Sequence, residues 1–155
     1  YTWQHVGSSF LPSEIIGAFL LAQLEDGKQI TQSRLNTWQA YQDAFADVEA
    51  SEYLRRPVVP AHCQHNAHMY YVILPTAELR NRILDQLNAL NIVAIFHYIP
   101  LHSSPAGLRY TRTHGRMDIT DSLSSRLLRL PMFNFMDETM RQRVITTVAD
   151  IVRAQ

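Results

Sequence analysis

The sequence predicts an α/β chain of the α+β kind, a short and mostly antiparallel sheet with helices packed against it. Three observations carry this. Residues 68–74 are apolar at neighbouring as well as alternate positions, the pattern of a strand covered on both faces. Pro75-Thr76 then ends that strand and caps a helix whose Leu79, Ile83, Leu84, Leu87 and Leu90 fall along one side. A second apolar run, 93–98, follows directly, and a last helix runs from the N-cap Asp137 to Arg153, with Met140, Val144, Val148 and Ile151 at helical spacing.

The other elements follow in order. Ser13, with Glu14 behind it, is an N-cap for a helix over 13–24. Ile15, Ile16, Phe19, Leu20, Leu21 and Leu24 take up nearly its whole circumference, so it is expected to be buried on most sides, between two domains or two subunits. Gly17 is expected to permit a close backbone approach there, because glycine otherwise weakens a helix. Lys28 reads as a solvated lysine in a polar connector, with nothing apolar beside it to lower its pKa. A longer helix over 31–48 carries a one-sided stripe of Leu35, Trp38, Tyr41, Phe45 and Val48, the spacing of core packing. Pro57 and Pro60 mark an extended loop. Residues 103–120 are polar and mixed and read as a mobile loop over a site, and 128–133 as a third, short strand with Pro131 at its edge.

Composition narrows the function classes. Fourteen basic and fourteen acidic residues balance, which leaves no electrostatic footprint for nucleic acid or an anionic membrane. The longest apolar run, 15–22, is too short to span a bilayer. Cys63 is the only cysteine, so no intrachain disulfide forms, which agrees with a reducing compartment such as the cytoplasm.

Chemistry concentrates at 96–102, Phe-His-Tyr-Ile-Pro-Leu-His. Pro100 has no N–H for a ladder, so His97, Tyr98 and His102 fall at a strand end and the loop after it, where a rigid support presents groups to a cleft. Imidazoles titrate near neutral pH and suit acid–base work. The same spacing also suits one histidine closing the strand and the other lying on the surface. His62, Cys63, His65 and His68 fall within seven residues, good zinc or nickel ligands by type, but the second ligand pair of a structural zinc site is missing. Gly7-Ser8-Ser9 ahead of a helix start suits either a phosphate or a plain capping turn. Arg109, Arg112 and Arg116 lie in or near the polar loop and suit a pyrophosphate, a carboxylate or solvent. Ser103 and Ser104 lack the flanking glycines of a nucleophile elbow.

Several stretches, taken together and in order, resemble the DegT/DnrJ/EryC1/StrS sugar aminotransferases. They are Tyr1-Thr2-Trp3, 7–14, Ala22-Gln23-Leu24-Glu25, 66–71, 97–102 and 127–133. The resemblance implies the C-terminal part of a fold-type I enzyme dependent on pyridoxal 5'-phosphate, with 1–50 forming linking helices and a cofactor-phosphate and interface turn, and 51–155 a small α+β domain. It implies transfer of an amino group from glutamate to a nucleotide-linked 4-keto-6-deoxy sugar, a dTDP-sugar, for cell-surface polysaccharide. It further implies a cytoplasmic homodimer with shared active sites. By the same resemblance His97, Tyr98 and His102 bind the sugar substrate, and Ser8 and Ser9 approach the cofactor phosphate of the neighbouring subunit. The family carries asparagine at the Ser9 position, so serine shortens that reach. The family's Schiff-base lysine lies upstream of anything here, Lys28 does not occupy its place, and the chain opens on Tyr1 without methionine. The expectation is a piece of a longer enzyme, inactive alone and holding half a site. The rival expectations are a non-catalytic sugar-nucleotide or protein-interaction module derived from the family, and a small metal-binding domain built on His62, Cys63 and His65.

Overall fold

The computed structural model describes Thr2, Gln4, His5, Gly7 and residues 11–155. Helix α1 (Glu14–Glu25) starts at its expected cap, where Ser13 Oγ accepts from the Ile16 N–H at 3.4 Å. None of its residues is buried, and Ile15, Phe19 and Leu24 are 82, 71 and 66% exposed. The cover that its apolar circumference calls for is therefore not supplied by the described residues. A Cβ added at Gly17 meets nothing within 4 Å, so the expected close approach does not occur among them either.

Helix α2 (Gly27–Ala44) begins earlier than its apolar stripe suggested and takes in Lys28, which is in the first helical turn and not in a connector. Lys28, Gln29 and Gln32 are good helix formers, so propensity extends the helix ahead of the stripe. A short helix α3 (Ala46–Ala50) continues it. Trp38, Tyr41, Phe45 and Val48 are buried as expected, joined by Thr37. The Tyr70 ring lies edge-on to Trp38 and Tyr41, at 5.6 and 5.2 Å, and the Tyr41 hydroxyl donates to the Pro131 carbonyl at 2.7 Å. Burial raises the pKa of both tyrosines, so each keeps its proton.

The sheet has three strands, β1 (Tyr70–Ile73), β2 (Ile95–Phe96) and β3 (Leu127–Leu130), in the order β1-β3-β2 with both pairs antiparallel. The last strand in sequence is thus the central one, and it stops at Pro131, which has no N–H to continue the ladder. The run 93–98 yields only two paired residues. Tyr70, Val72, Leu128 and Leu130 enter a core completed by Ile83 and Leu87 of α4 (Ala77–Ala89) and by Val144, Val148 and Val152 of α7 (Glu138–Arg153). On the opposite face Ile73 is buried, Tyr71 and Arg129 are half-covered and Ile95 is exposed, so the expected cover on both sides of the first strand holds at Ile73 and is incomplete at Tyr71. Thr76 and Asp137 cap α4 and α7 as expected, accepting from Leu79 N at 3.1 Å and Met140 N at 2.7 Å.

The segment 103–120 is a loop only over 111–117, and the rest of it is largely helical. A 3₁₀ turn (Leu101–Ser103) leads to α5 (Pro105–Tyr110), and α6 (Asp118–Arg126) runs straight into β3. Ser104 is the N-cap of α5, its Oγ accepting from Gly107 N at 3.0 Å and donating to the Leu101 carbonyl at 2.7 Å. Gly107 packs so tightly on the 3₁₀ turn that an added Cβ would lie 1.7 Å from the Leu101 carbonyl oxygen.

Candidate functional site

The end of β2, the 3₁₀ turn, α6 and the centre of β3 meet at one edge of the open sheet face. His97 follows β2 directly. Its ring stands edge-on to Tyr98 with centroids 4.9 Å apart, and its Nδ1 is buried with no hydrogen-bond partner among the described residues. Burial pushes its pKa below the ordinary imidazole value, and the neighbouring Arg129 and His68 push it the same way. The neutral ring is therefore the stable form at neutral pH, a state that can accept a proton. The consequence for folding has a definite sign. The unfolded chain binds this proton at higher pH, so the contribution to stability is present above the ordinary imidazole value and is lost as pH falls through the folded value.

His102, on the 3₁₀ turn, is largely buried and bonds through Nε2 to Asp121 Oδ1 of α6 at 2.9 Å. That pair ties the segment after β2 to α6. On the other side Arg80 of α4 donates from Nε to the Ser125 carbonyl at 2.9 Å, and its guanidinium lies over the Phe96 ring, 5.7 Å from the centroid. Arg80, His97, Tyr98 and Asp121 line a cavity of about 260 Å³. A second cavity, about 190 Å³, lies on the open sheet face and is lined by His68, Ile95 and Arg129 among others.

The structure therefore brings His97, Tyr98 and His102 into one neighbourhood and adds Arg80, Asp121 and Arg129, which sequence reading missed. Arg129 left a trace in the sequence as the one charge inside an apolar strand, whereas the pairing of Asp121 with His102 left none. Ser8 and Ser9 fall outside the described residues, and the adjacent Gly7 is exposed. Of the three loop arginines, Arg116 pairs with Asp118 at 2.8 Å, Arg109 lies by Tyr110, and Arg112 is exposed. The His65 ring packs edge-on against Trp38 at 4.5 Å, and His68 shares the Asn66 side chain through both its backbone N–H and Nδ1. Among the described residues no group of three or more His, Cys, Asp or Glu side chains is placed to hold a metal ion.

The family model described as the DegT/DnrJ/EryC1/StrS aminotransferase family matches residues 1–149. The chain belongs to that family. A relative from Micromonospora megalomicea subsp. nigra, dTDP-3-amino-3,4,6-trideoxy-alpha-D-glucose transaminase, is 27% identical over 119 residues, which are 74% of this chain and 30% of the relative. Among solved structures, Helicobacter pylori PseC, an aminotransferase involved in the biosynthesis of pseudoaminic acid, superposes with a TM-score of 0.79 at 19% identity, over 98% of this chain and 40% of its own. Streptococcus pneumoniae Spr1654, a proposed sugar aminotransferase, does so in its PLP-form with a TM-score of 0.74 at 18% identity, over 92% of this chain and 36% of its own. These structural likenesses bear out the fold, and the chain spans well under half of each relative's length.

Spr1654 is also known in a PMP-form. The DegT family is one of pyridoxal-phosphate enzymes, and such a cofactor needs an amine to hold it covalently. Lys28 is the chain's single lysine, exposed on a concavity shared with Leu24, Thr31 and Leu35, residues that line neither cavity near His97. The described residues therefore do not by themselves fit the covalent seat of that cofactor. No helix among them is long and apolar enough to cross a membrane.

Proposed function

We propose that this chain is the C-terminal part of a cytoplasmic aminotransferase that moves an amino group from glutamate to a nucleotide-linked 4-keto-6-deoxy sugar, a dTDP-sugar, for cell-surface polysaccharide. The family match over residues 1–149 is the observation that carries the reading. Pyridoxal 5'-phosphate, bound to the full-length enzyme, acts as the electron sink of the transfer. Its lysine comes from a part of the enzyme outside these residues. In this reading His97 meets the sugar as a neutral imidazole, Tyr98 forms the wall beside it, and the His102–Asp121 pair holds the segment that carries both. Full-length enzyme supplied with glutamate and a dTDP-4-keto-6-deoxy sugar is expected to release 2-oxoglutarate and an amino-sugar nucleotide, read by mass spectrometry. Borohydride reduction in the presence of pyridoxal phosphate should label a lysine other than Lys28. Stoichiometric label on Lys28 in an active enzyme, or no amino-sugar from any nucleotide keto-sugar, would sink the proposal.

The enzyme works as a homodimer, with Ser8 and Ser9 directed to the cofactor phosphate of the partner subunit. The exposed apolar circumference of α1 supports this, because an isologous contact covers the same face twice. Sedimentation of the full-length enzyme should give the dimer mass, and Phe19→Glu on α1 should halve it. A dimer that survives Phe19→Glu in a folded variant would remove α1 from the interface.

A further inference from the structure

Arg129 differs from the other half-buried arginines. Arg34, Arg56, Arg80, Arg126 and Arg141 all donate to backbone carbonyls, and Arg56 and Arg141 also reach carboxylates. The Arg129 side chain makes no hydrogen bond and no ion pair among the described residues. The residue sits at the centre of the sheet, its Cα opposite Tyr71 on one side and Ile95 on the other, where a strand ordinarily carries an apolar or small polar residue. Its five N–H donors, half-buried on the sheet, have no protein acceptor among the described residues.

The cavity around it has the chemistry of an anion pocket. His68 and Arg129 line it, Met69, Ile95 and Met132 supply apolar walls that lower the local dielectric, and no carboxylate borders it. Asp121, the acid in the neighbouring cavity, is already engaged with His102. His97 stands two residues beyond Ile95, diagonal to Arg129 across the antiparallel pair.

We propose that Arg129, with His68 beside it, forms an oxyanion-binding site on the open sheet face, taking a carboxylate or a phosphate next to His97. A guanidinium fork meets either group with two parallel hydrogen bonds, which a point charge does not. The pKa of His97 is lowered first by burial and then by the charges of Arg129 and His68, and the second cause agrees with an uncompensated positive charge at this spot. The aminotransferase reading bears only on which anion arrives: the carboxylate of the amino-acid donor or the diphosphate of the nucleotide.

The test is side-chain NMR of His68 and His97 in the 155-residue chain, titrated at fixed ionic strength with L-glutamate in one arm and dTDP in the other. A bound anion should raise the His97 pKa, saturably, in at least one arm, and the arm that responds names the source. Arg129→Gln should raise the His97 pKa without any anion and abolish the response to both. Arg129→Lys keeps the charge and loses the fork, so it should leave the anion-free titration in place and weaken binding by at least tenfold. Should Arg129→Gln not fold, Arg129→Lys decides alone. No saturable response in either arm, or a response unchanged in the variants, overturns the site. Binding is read here without turnover. Loss of the aminotransferase reading would therefore leave a measured anion site standing, and an active enzyme whose chain binds neither anion would remove only this site.

Discussion

His97→Ala in the full-length enzyme is expected to lower turnover of the keto-sugar by about a hundredfold or more, the usual cost of removing one proton-transferring group. The loss should fall on kcat more than on KM, because the imidazole is assigned to the reacting sugar and not to the nucleotide. Thermal stability should change little: His97 is half-exposed and lies outside the buried core, so its removal opens no core cavity. His97→Gln separates two roles. Glutamine retains a hydrogen bond but not a titrating proton, so activity restored by glutamine assigns His97 to binding, and activity still lost assigns it to proton transfer. Wild-type kinetics in a folded His97→Ala variant would make His97 a strand end with no part in the reaction.

Gly107→Ala should be the most damaging glycine-to-alanine change in this chain, because Gly107 alone among the five glycines has no room for a Cβ. The new Cβ would meet the Leu101 carbonyl oxygen at 1.7 Å and its carbon at 2.7 Å, both backbone atoms of the 3₁₀ turn, so no side chain can rotate out of the way. Either α5 or the turn must shift. Overpacking of this kind costs about 1–3 kcal/mol and more when the backbone is rigid. At about 2–4 °C per kcal/mol for a chain of this size, the melting temperature should fall by several degrees. The shift should also pull His102 from Asp121, so the His102 ring resonances should move even where the variant remains folded. Gly27→Ala is the control. It opens α2, an added Cβ there meets nothing within 4 Å, and a gain of about 0.4–1 kcal/mol is expected from the stiffer unfolded chain. A Gly107→Ala variant as stable as the parent would show that the contact between the 3₁₀ turn and α5 is loose in solution.

Part of the 103–120 segment was legible after all. Ser104-Pro105 is a strong helix start, an N-cap hydroxyl followed by proline at the first helical position, and both roles are filled in α5. The polar composition around it hid the signal. Helix α6 had no comparable mark, since its serines, threonine and aspartates are indifferent helix formers. What holds it is remote in sequence: the Arg80 bond to the Ser125 carbonyl from α4, and His102 on Asp121.

The sequence by itself determined the helix starts at Ser13, Thr76 and Asp137, the core stripe of α2, the α+β class and the family, through motifs that stand in order along the chain. Caps and stripes are set by residues within about four positions of each other, so they can be read before anything folds. Only the tertiary structure decided that β3 is the central strand, that Arg129 stands between Tyr71 and Ile95, and that Asp121 reaches His102. Register and ion pairing join residues tens of positions apart, and no local preference selects among the partners available. They are fixed when the core closes on Tyr70, Val72, Leu128 and Leu130, because slipping one strand by a single residue would turn those side chains to water and carry Arg129 into the core.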